Sequence, residues 1–287
     1  MNLSYSVSTP MSLLTQGIEL VIQELQPLRR RTDLRFDRTI LDRIGQLRSL
    51  LAIGSARTGE QAVVGDSTSL VTTPAPAVKS SHHEKLRQLE QTALACRKCP
   101  HLVAFRHQVV FGVGNPDAEL MFVGEAPGAD EDLRGEPFVG RAGELLTRII
   151  QTMGFSRAEV YIANVLKCRP DVPPGKSGNR PPTAEEMATC LPYLREQIAL
   201  IQPKLMVALG GVAMRGLFGV EQPMKSLRGR WHQFAGIPVM PTFHPSYLLR
   251  NQSLMEKRKV WEDMLLVLER LERPITERQR NFFLAKG

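Results

Sequence analysis

Four cysteines carry the first chemical signal in the chain. Cys96 and Cys99 form a Cys-x-x-Cys pair, a spacing that lets two thiolates turn toward one metal from a single loop, while Cys168 and Cys190 stand alone further on. Such a set can hold zinc or an iron–sulfur cluster, since both accept four thiolates. A redox pair beside two buried small hydrophobes is the competing reading. A second set is glycine-rich and polar: Gly124-Glu125-Ala126-Pro127-Gly128, then Asn164 and Lys167, then His244-Pro245-Ser246. A carboxylate, a carboxamide and an imidazole can read a polar ligand and move protons if they share one cleft.

Sharing a cleft is a matter for the elements around them. Leu120 to Val123 reads as a buried strand, followed by a glycine-rich loop and a helix over 142–153. A second strand reads at 160–162, and Thr183 with Glu186 three residues on forms a capping box that opens a helix running to about Ile201. The third strand is 205–209, with a short helix after Gly210-Gly211. The fourth is 237–240, and a last helix carries Val260, Trp261, Met264, Leu265, Leu268 and Leu271 on one face. Alternating strands and helices predict an α/β fold with a parallel central sheet and helices on both faces. Ligands bind such sheets beyond the carboxyl ends of the strands, where all three polar sets fall.

The chain has 287 residues, with 37 Lys and Arg against 29 Asp and Glu for a formal net charge of +8, which favours a polyanionic partner. At 43% hydrophobic residues it can build a core, which excludes a wholly disordered protein. No apolar run approaches the ~18 residues of a membrane span, and the start MNLSYSVSTP lacks the pattern of a signal peptide. The expectation is a soluble cytoplasmic protein, with cysteines poorly suited to disulfides. Residues 1–53 read as a helical N-terminal extension with an arginine run at Arg29-Arg30-Arg31. Residues 54–85 read as a flexible linker, 86–272 as the main domain and 273–287 as a C-terminal tail.

Five ordered motifs, C-R-K-C-P, G-E-A-P-G-A-D-E-D, G-E-P-F-V-G-R-A-G, N-V-L-K-C-R-P and H-P-S-Y-L-L-R, closely resemble the family 4 uracil-DNA glycosylases over roughly 86–271. The resemblance implies their α/β fold and one 4Fe-4S cluster per chain, with Cys96, Cys99, Cys168 and Cys190 as ligands. It implies base excision repair of uracil-containing DNA, single- and double-stranded, by a monofunctional glycosylase that leaves an abasic site. A monomer associated with the nucleoid through DNA is expected. The N-terminal extension lies outside the match, is expected to be dispensable for the chemistry, and could recruit a repair or replication protein.

Excision separates positive charge on the sugar from negative charge on the base, after the nucleotide has been flipped from the stack. By this resemblance Phe138 stacks on the base and Asn164 offers donor and acceptor to the uracil edge, in a pocket built with Gly124 and Gly128. His244 donates to uracil O2, and Glu125 positions water or stabilises the oxocarbenium ion, with Asp130 as a fallback. Pro245, Ser246, Leu248 and Arg250 form the DNA-binding loop, Leu248 as an apolar wedge and Arg250 on a phosphate.

Two features depart from the glycosylase patterns. Gly128 stands where the family 1 motif has a tyrosine, so no bulky ring there excludes thymine's methyl. The segment between Cys168 and Cys190 is longer than usual and carries Arg169, Lys176 and Arg180 without a histidine, so covalent capture of the product is not expected. The competing class is a catalytically silent iron–sulfur protein on the same fold that binds DNA or senses redox state.

Overall fold

A computed structural model describes residues 77–172 and 178–284. The N-terminal extension, its arginine run, most of the predicted linker and Lys176 lie outside the described residues.

Six strands form one sheet: β1 Val113–Gly114, β2 Leu120–Gly124, β3 Tyr161–Asn164, β4 Leu205–Leu209, β5 His232–Phe234 and β6 Ile237–Thr242, in the order β1-β3-β2-β4-β6-β5. The four inner strands are parallel, as the alternation of strands and helices predicts. Both outer strands, β1 and β5, run antiparallel to their neighbours. Neither outer strand is legible in the sequence, because each has only two or three residues and no apolar run.

β2 and β4 are continuous apolar runs because both faces of the sheet are covered. Alternate side chains go to opposite layers. Met121 and Val123 join Ala163, Met206 and Ala208 in one core, and Leu120 and Phe122 join Ile162, Leu205 and Val207 in the other. Three helices cover the first core: α1 Ala77–Leu94, α5 Ala184–Ile201 and α6 Gly211–Phe218. The second is covered by α4 Arg141–Thr152 and α9 Leu254–Arg270, the latter burying Trp261, Met264, Val267 and Leu268. Burying each large apolar side chain contributes roughly 1.5–3 kcal/mol. Short helices lie between these: α2 Pro100–Phe105, α3 Ala129–Arg134, α7 Met224–Leu227, α8 Pro245–Arg250 and α10 Glu277–Arg280.

The Thr183–Glu186 capping box opens α5 as expected, with Glu186 N donating to Thr183 Oγ1 at 3.2 Å and Thr183 N to Glu186 Oε2 at 2.7 Å. One predicted boundary needs correction. α1 begins at Ala77, so the last part of the predicted linker (77–85) is helical, and Leu86 and Leu89 bury its inner face. The predicted tail is docked on the main domain through Gln279 and Phe282. The Gln279 carbonyl accepts Trp261 Nε1 at 2.6 Å, Gln279 Nε2 donates to Thr152 O at 2.8 Å, and Phe282 meets Trp261 edge-on.

The end of β6 is anchored from within. Asp263, fully buried in α9, accepts Thr242 Oγ1 at 2.7 Å and Arg228 Nη2 at 2.9 Å. Thr242 is two residues before His244, so this buried pair fixes where the strand hands over to α8. Burial outweighs the guanidinium and pushes the Asp263 carboxyl up to about 6.

Candidate active site

The inner strands end on one edge, and the chain crosses from β3 over β2 to β4, reversing the winding between β2 and β4. Such a switch point leaves a crevice beyond the carboxyl ends. A cavity of about 480 Å³ lies there, lined by Glu125 and Gly128 after β2, Asn164 at the end of β3, Gly210 after β4 and His244 after β6. Phe138, Ser246 and Arg250 also line it, as do Asn179 and Arg180 from the segment before α5. Members of all three polar sets thus converge on one cleft, whereas Lys167 of the second set does not line it.

Gly124 and Asn164 are register partners at the ends of β2 and β3. A Cβ on Gly124 would lie 2.4 Å from Asn164 Oδ1 and 2.5 Å from Phe138 Cζ, so its absence lets carboxamide and ring approach over the strand end. Asn164 is buried, and its Oδ1 has no hydrogen-bond partner among the described residues. An unsatisfied acceptor on a cavity wall is ready for a ligand's donor.

Phe138 sits at φ +55°, in the left-handed region where a residue with a side chain pays of order 1–3 kcal/mol. Its loop is gripped from two sides. Arg157 donates through Nη1 to the Phe138 carbonyl at 3.2 Å and through Nη2 to the Pro137 carbonyl at 2.9 Å. The Glu131 carboxylate accepts Val139 N and Gly140 N at 3.0 Å on Oε1 and Gly128 N at 3.1 Å on Oε2. Glu131 thereby ties the Gly128 loop to the Phe138 loop. Neither residue was picked out from the sequence, although the Gly-x-x-Glu spacing at 128–131 is that of a capping box.

His244 caps α8, and its Nδ1 lies 2.7 Å from Ser246 Oγ and accepts Ser246 N at 3.2 Å. A backbone N–H only donates, so Nδ1 is the acceptor and the proton resides on Nε2. Burial, assisted by the charge of Arg250, pushes the imidazole pKa down to about 4, and the ring is neutral at physiological pH. Its ring centroid lies 5.6 Å from that of Phe138. Burial also raises the Glu125 carboxyl above its ordinary value, with Arg215 opposing.

Around the cysteines the donor set suits an anionic, thiolate-bound group. Arg106 Nη1 donates to Cys168 Sγ at 2.8 Å and Nη2 to the Cys96 carbonyl at 2.7 Å, while Lys167 N donates to Cys190 Sγ at 3.2 Å. Burial raises the Cys99, Cys168 and Cys190 thiols, Cys190 to about 11, and neighbouring cysteines add to each shift. Thiolates that raise one another's pKa in this way repel, so a positive centre would hold them ionised. Another grouping, His101, Asp171 and Glu186, is threaded by Arg180, which donates to both carboxylates and makes it an ion-pair network.

Of the residues proposed for DNA contact, Ser246 and Arg250 face the cleft, whereas Pro245 is buried as the first residue of α8. Leu248 requires correction. It is 5% exposed and packs with Phe243 and Val260, because its position on α8 turns it toward α9 rather than outward as a wedge. Asp130 is exposed on α3 and does not line the cavity. Among the described helices none is long and apolar enough to cross a membrane.

The model of the uracil DNA glycosylase superfamily matches residues 111–265. The type-4 uracil-DNA glycosylase of Thermotoga maritima is 44% identical over 188 residues, covering 64% of this chain and 93% of the relative. That of Sulfurisphaera tokodaii is 40% identical over 189 residues, covering 63% and 81%. The type-5 uracil-DNA glycosylase of Thermus thermophilus is 30% identical over 217 residues, covering 64% and 95%.

Proposed function

Since the chain belongs to the uracil DNA glycosylase superfamily, we propose that it is a DNA repair enzyme that hydrolyses the N-glycosidic bond of uracil in DNA and leaves an abasic site. The observation that carries this reading is the buried, unpartnered Oδ1 of Asn164 beside the ring of Phe138. An Asn carboxamide is the complement of the uracil edge: Oδ1 accepts from N3–H while Nδ2 donates to O4. Cytosine offers an acceptor at N3 and a donor at its exocyclic amine, so it mismatches at both points. With Gly128 leaving no ring over the pocket, discrimination rests on this carboxamide and on the packing around it.

The remaining roles follow from charge. As the bond to C1′ lengthens, negative charge gathers on uracil O2, and the neutral His244 donates Nε2–H to it without carrying a proton onto the base. Glu125 supports the positive charge on the sugar or orients the attacking water. Ser246 and Arg250 bind phosphates at the rim, and recognition of an extruded base suits single- and double-stranded DNA alike. Cys96, Cys99, Cys168 and Cys190 would hold a 4Fe-4S cluster whose contribution is structural, joining the α1–α2 segment to the end of β3 and to α5.

Release of uracil from a uracil-containing oligonucleotide by the full-length, iron-loaded protein tests the reading, with Asn164→Ala and His244→Ala as controls. A folded, iron-containing protein that binds such DNA yet releases no base would instead be a catalytically silent DNA-binding protein.

A further inference from the structure

Lys167 carries a buried amine that the chemistry above leaves unused. It is 1% exposed, and its ammonium donates to the backbone carbonyl of Asn164 at 2.9 Å and to Gln197 Oε1. Gln197 is itself buried and fixed, with Nε2 donating to the Phe111 carbonyl at 3.0 Å and to Tyr161 Oη at 3.1 Å. With its donors spent there, the Gln197 amide presents only its oxygen to Lys167. The Lys167 main chain is held as well, its N–H on Cys190 Sγ and its carbonyl accepting Val110 N at 2.8 Å.

Taking an ammonium out of water costs several kcal/mol, and a methionine of similar length would fill the space without that cost. Packing therefore does not account for the polar head. What the amine supplies is a partner for the Asn164 carbonyl, on a peptide whose other side is held by Val165 N donating to Gly124 O at 3.0 Å. The orientation of that peptide sets the direction in which the carboxamide leaves the strand.

We propose that Lys167 is a positioning residue for base recognition, holding the Asn164 backbone so that its carboxamide meets the uracil edge at a fixed depth. This rests on Asn164 being the base-reading residue.

A double-mutant cycle in the full-length protein tests it, with Lys167→Met, Asn164→Ala and the pair. The readouts are single-turnover uracil release, inhibition by free uracil, iron content and affinity for undamaged DNA. Lys167→Met should slow release by roughly 10–100-fold and weaken free-uracil inhibition in parallel, with iron and DNA affinity unchanged, as expected for a mispositioned binding group. In the Asn164→Ala background it should cost about twofold or less, because the two act as one unit. Additive losses, or unchanged inhibition by free uracil, overturn the proposal alone. Full release by Asn164→Ala would remove the base-reading assignment first and this proposal with it. If Lys167→Met loses iron, Lys167→Gln takes its place in the cycle. Loss of iron in both makes Lys167 a folding residue and overturns the proposal.

Discussion

His244 and Ser246 are joined twice, through a 2.7 Å contact of Nδ1 with Ser246 Oγ and a 3.2 Å hydrogen bond from Ser246 N to the same nitrogen. The pairing fixes the tautomer of the ring and leaves Nε2–H as its one donor.

A pH profile follows. With its pKa held at about 4, His244 contributes no titration near the ordinary histidine value. Single-turnover release should therefore be independent of this residue from about pH 5.5 upward and should fall as acid protonates Nδ1 and breaks its bond to Ser246. Glu125, raised by burial, adds its own acidic limb, which Glu125→Gln should abolish. A limb near 6.5 that vanishes in His244→Gln would refute the neutral donor. His244→Ala itself should cost roughly 10²–10³ in rate while DNA affinity stays within a few-fold.

One methyl group at Gly124 should be enough to damage the pocket. Its Cβ would overlap Asn164 Oδ1 and Phe138 Cζ, so one of them must move. Gly124→Ala is expected to slow uracil release by about 10²-fold, since a displacement near 1 Å costs that much. Thermal unfolding and DNA affinity should change little, and wild-type rates in this variant would show that ring and carboxamide do not act together.

The four cysteines predict iron. Protein purified anaerobically should contain about four irons per chain, and Cys168→Ala should lose iron and soluble yield together, because the metal joins segments far apart in sequence. Stoichiometric zinc in place of iron would contradict the assignment.

Arg228→Met should expose the cost of the buried Asp263 carboxylate. Removing one partner of such a pair costs roughly 3–5 kcal/mol. The folded-state pKa of Asp263 is raised to about 6, so the folded protein binds this proton more tightly than the unfolded chain, and stability from this group is lost as pH rises. The penalty of the variant should accordingly be larger at pH 8 than at pH 5. Thermal melts at both values decide, and an equal loss at each would mean that Asp263 is not the cause.

The inner strands and their helices were legible because double burial writes long apolar runs and helical periods into the sequence. The converging sets at Gly124, Asn164 and His244 were legible from their place after strands, as the rule for parallel sheets requires. What escaped was set by tertiary context. Arg157 and Glu131 act through backbone groups of a loop whose course no local pattern reveals. Leu248 looked free to leave the surface because its motif carries no sign that Phe243 and Val260 lie beneath it. The helical start at Ala77 was hidden by the Pro, Ser and Thr residues just before it.

The antiparallel outer strands have a bearing on association in solution. Parallel sheets whose flanks are left open offer rows of unpaired amides to any passing strand. Here one flank is a two-residue strand containing Gly114, where any side chain would fall 1.9 Å from the Val160 carbonyl. The other is the three-residue hairpin arm β5, antiparallel to β6. Among the described residues neither margin exceeds three residues, which leaves little edge for a further strand to pair with.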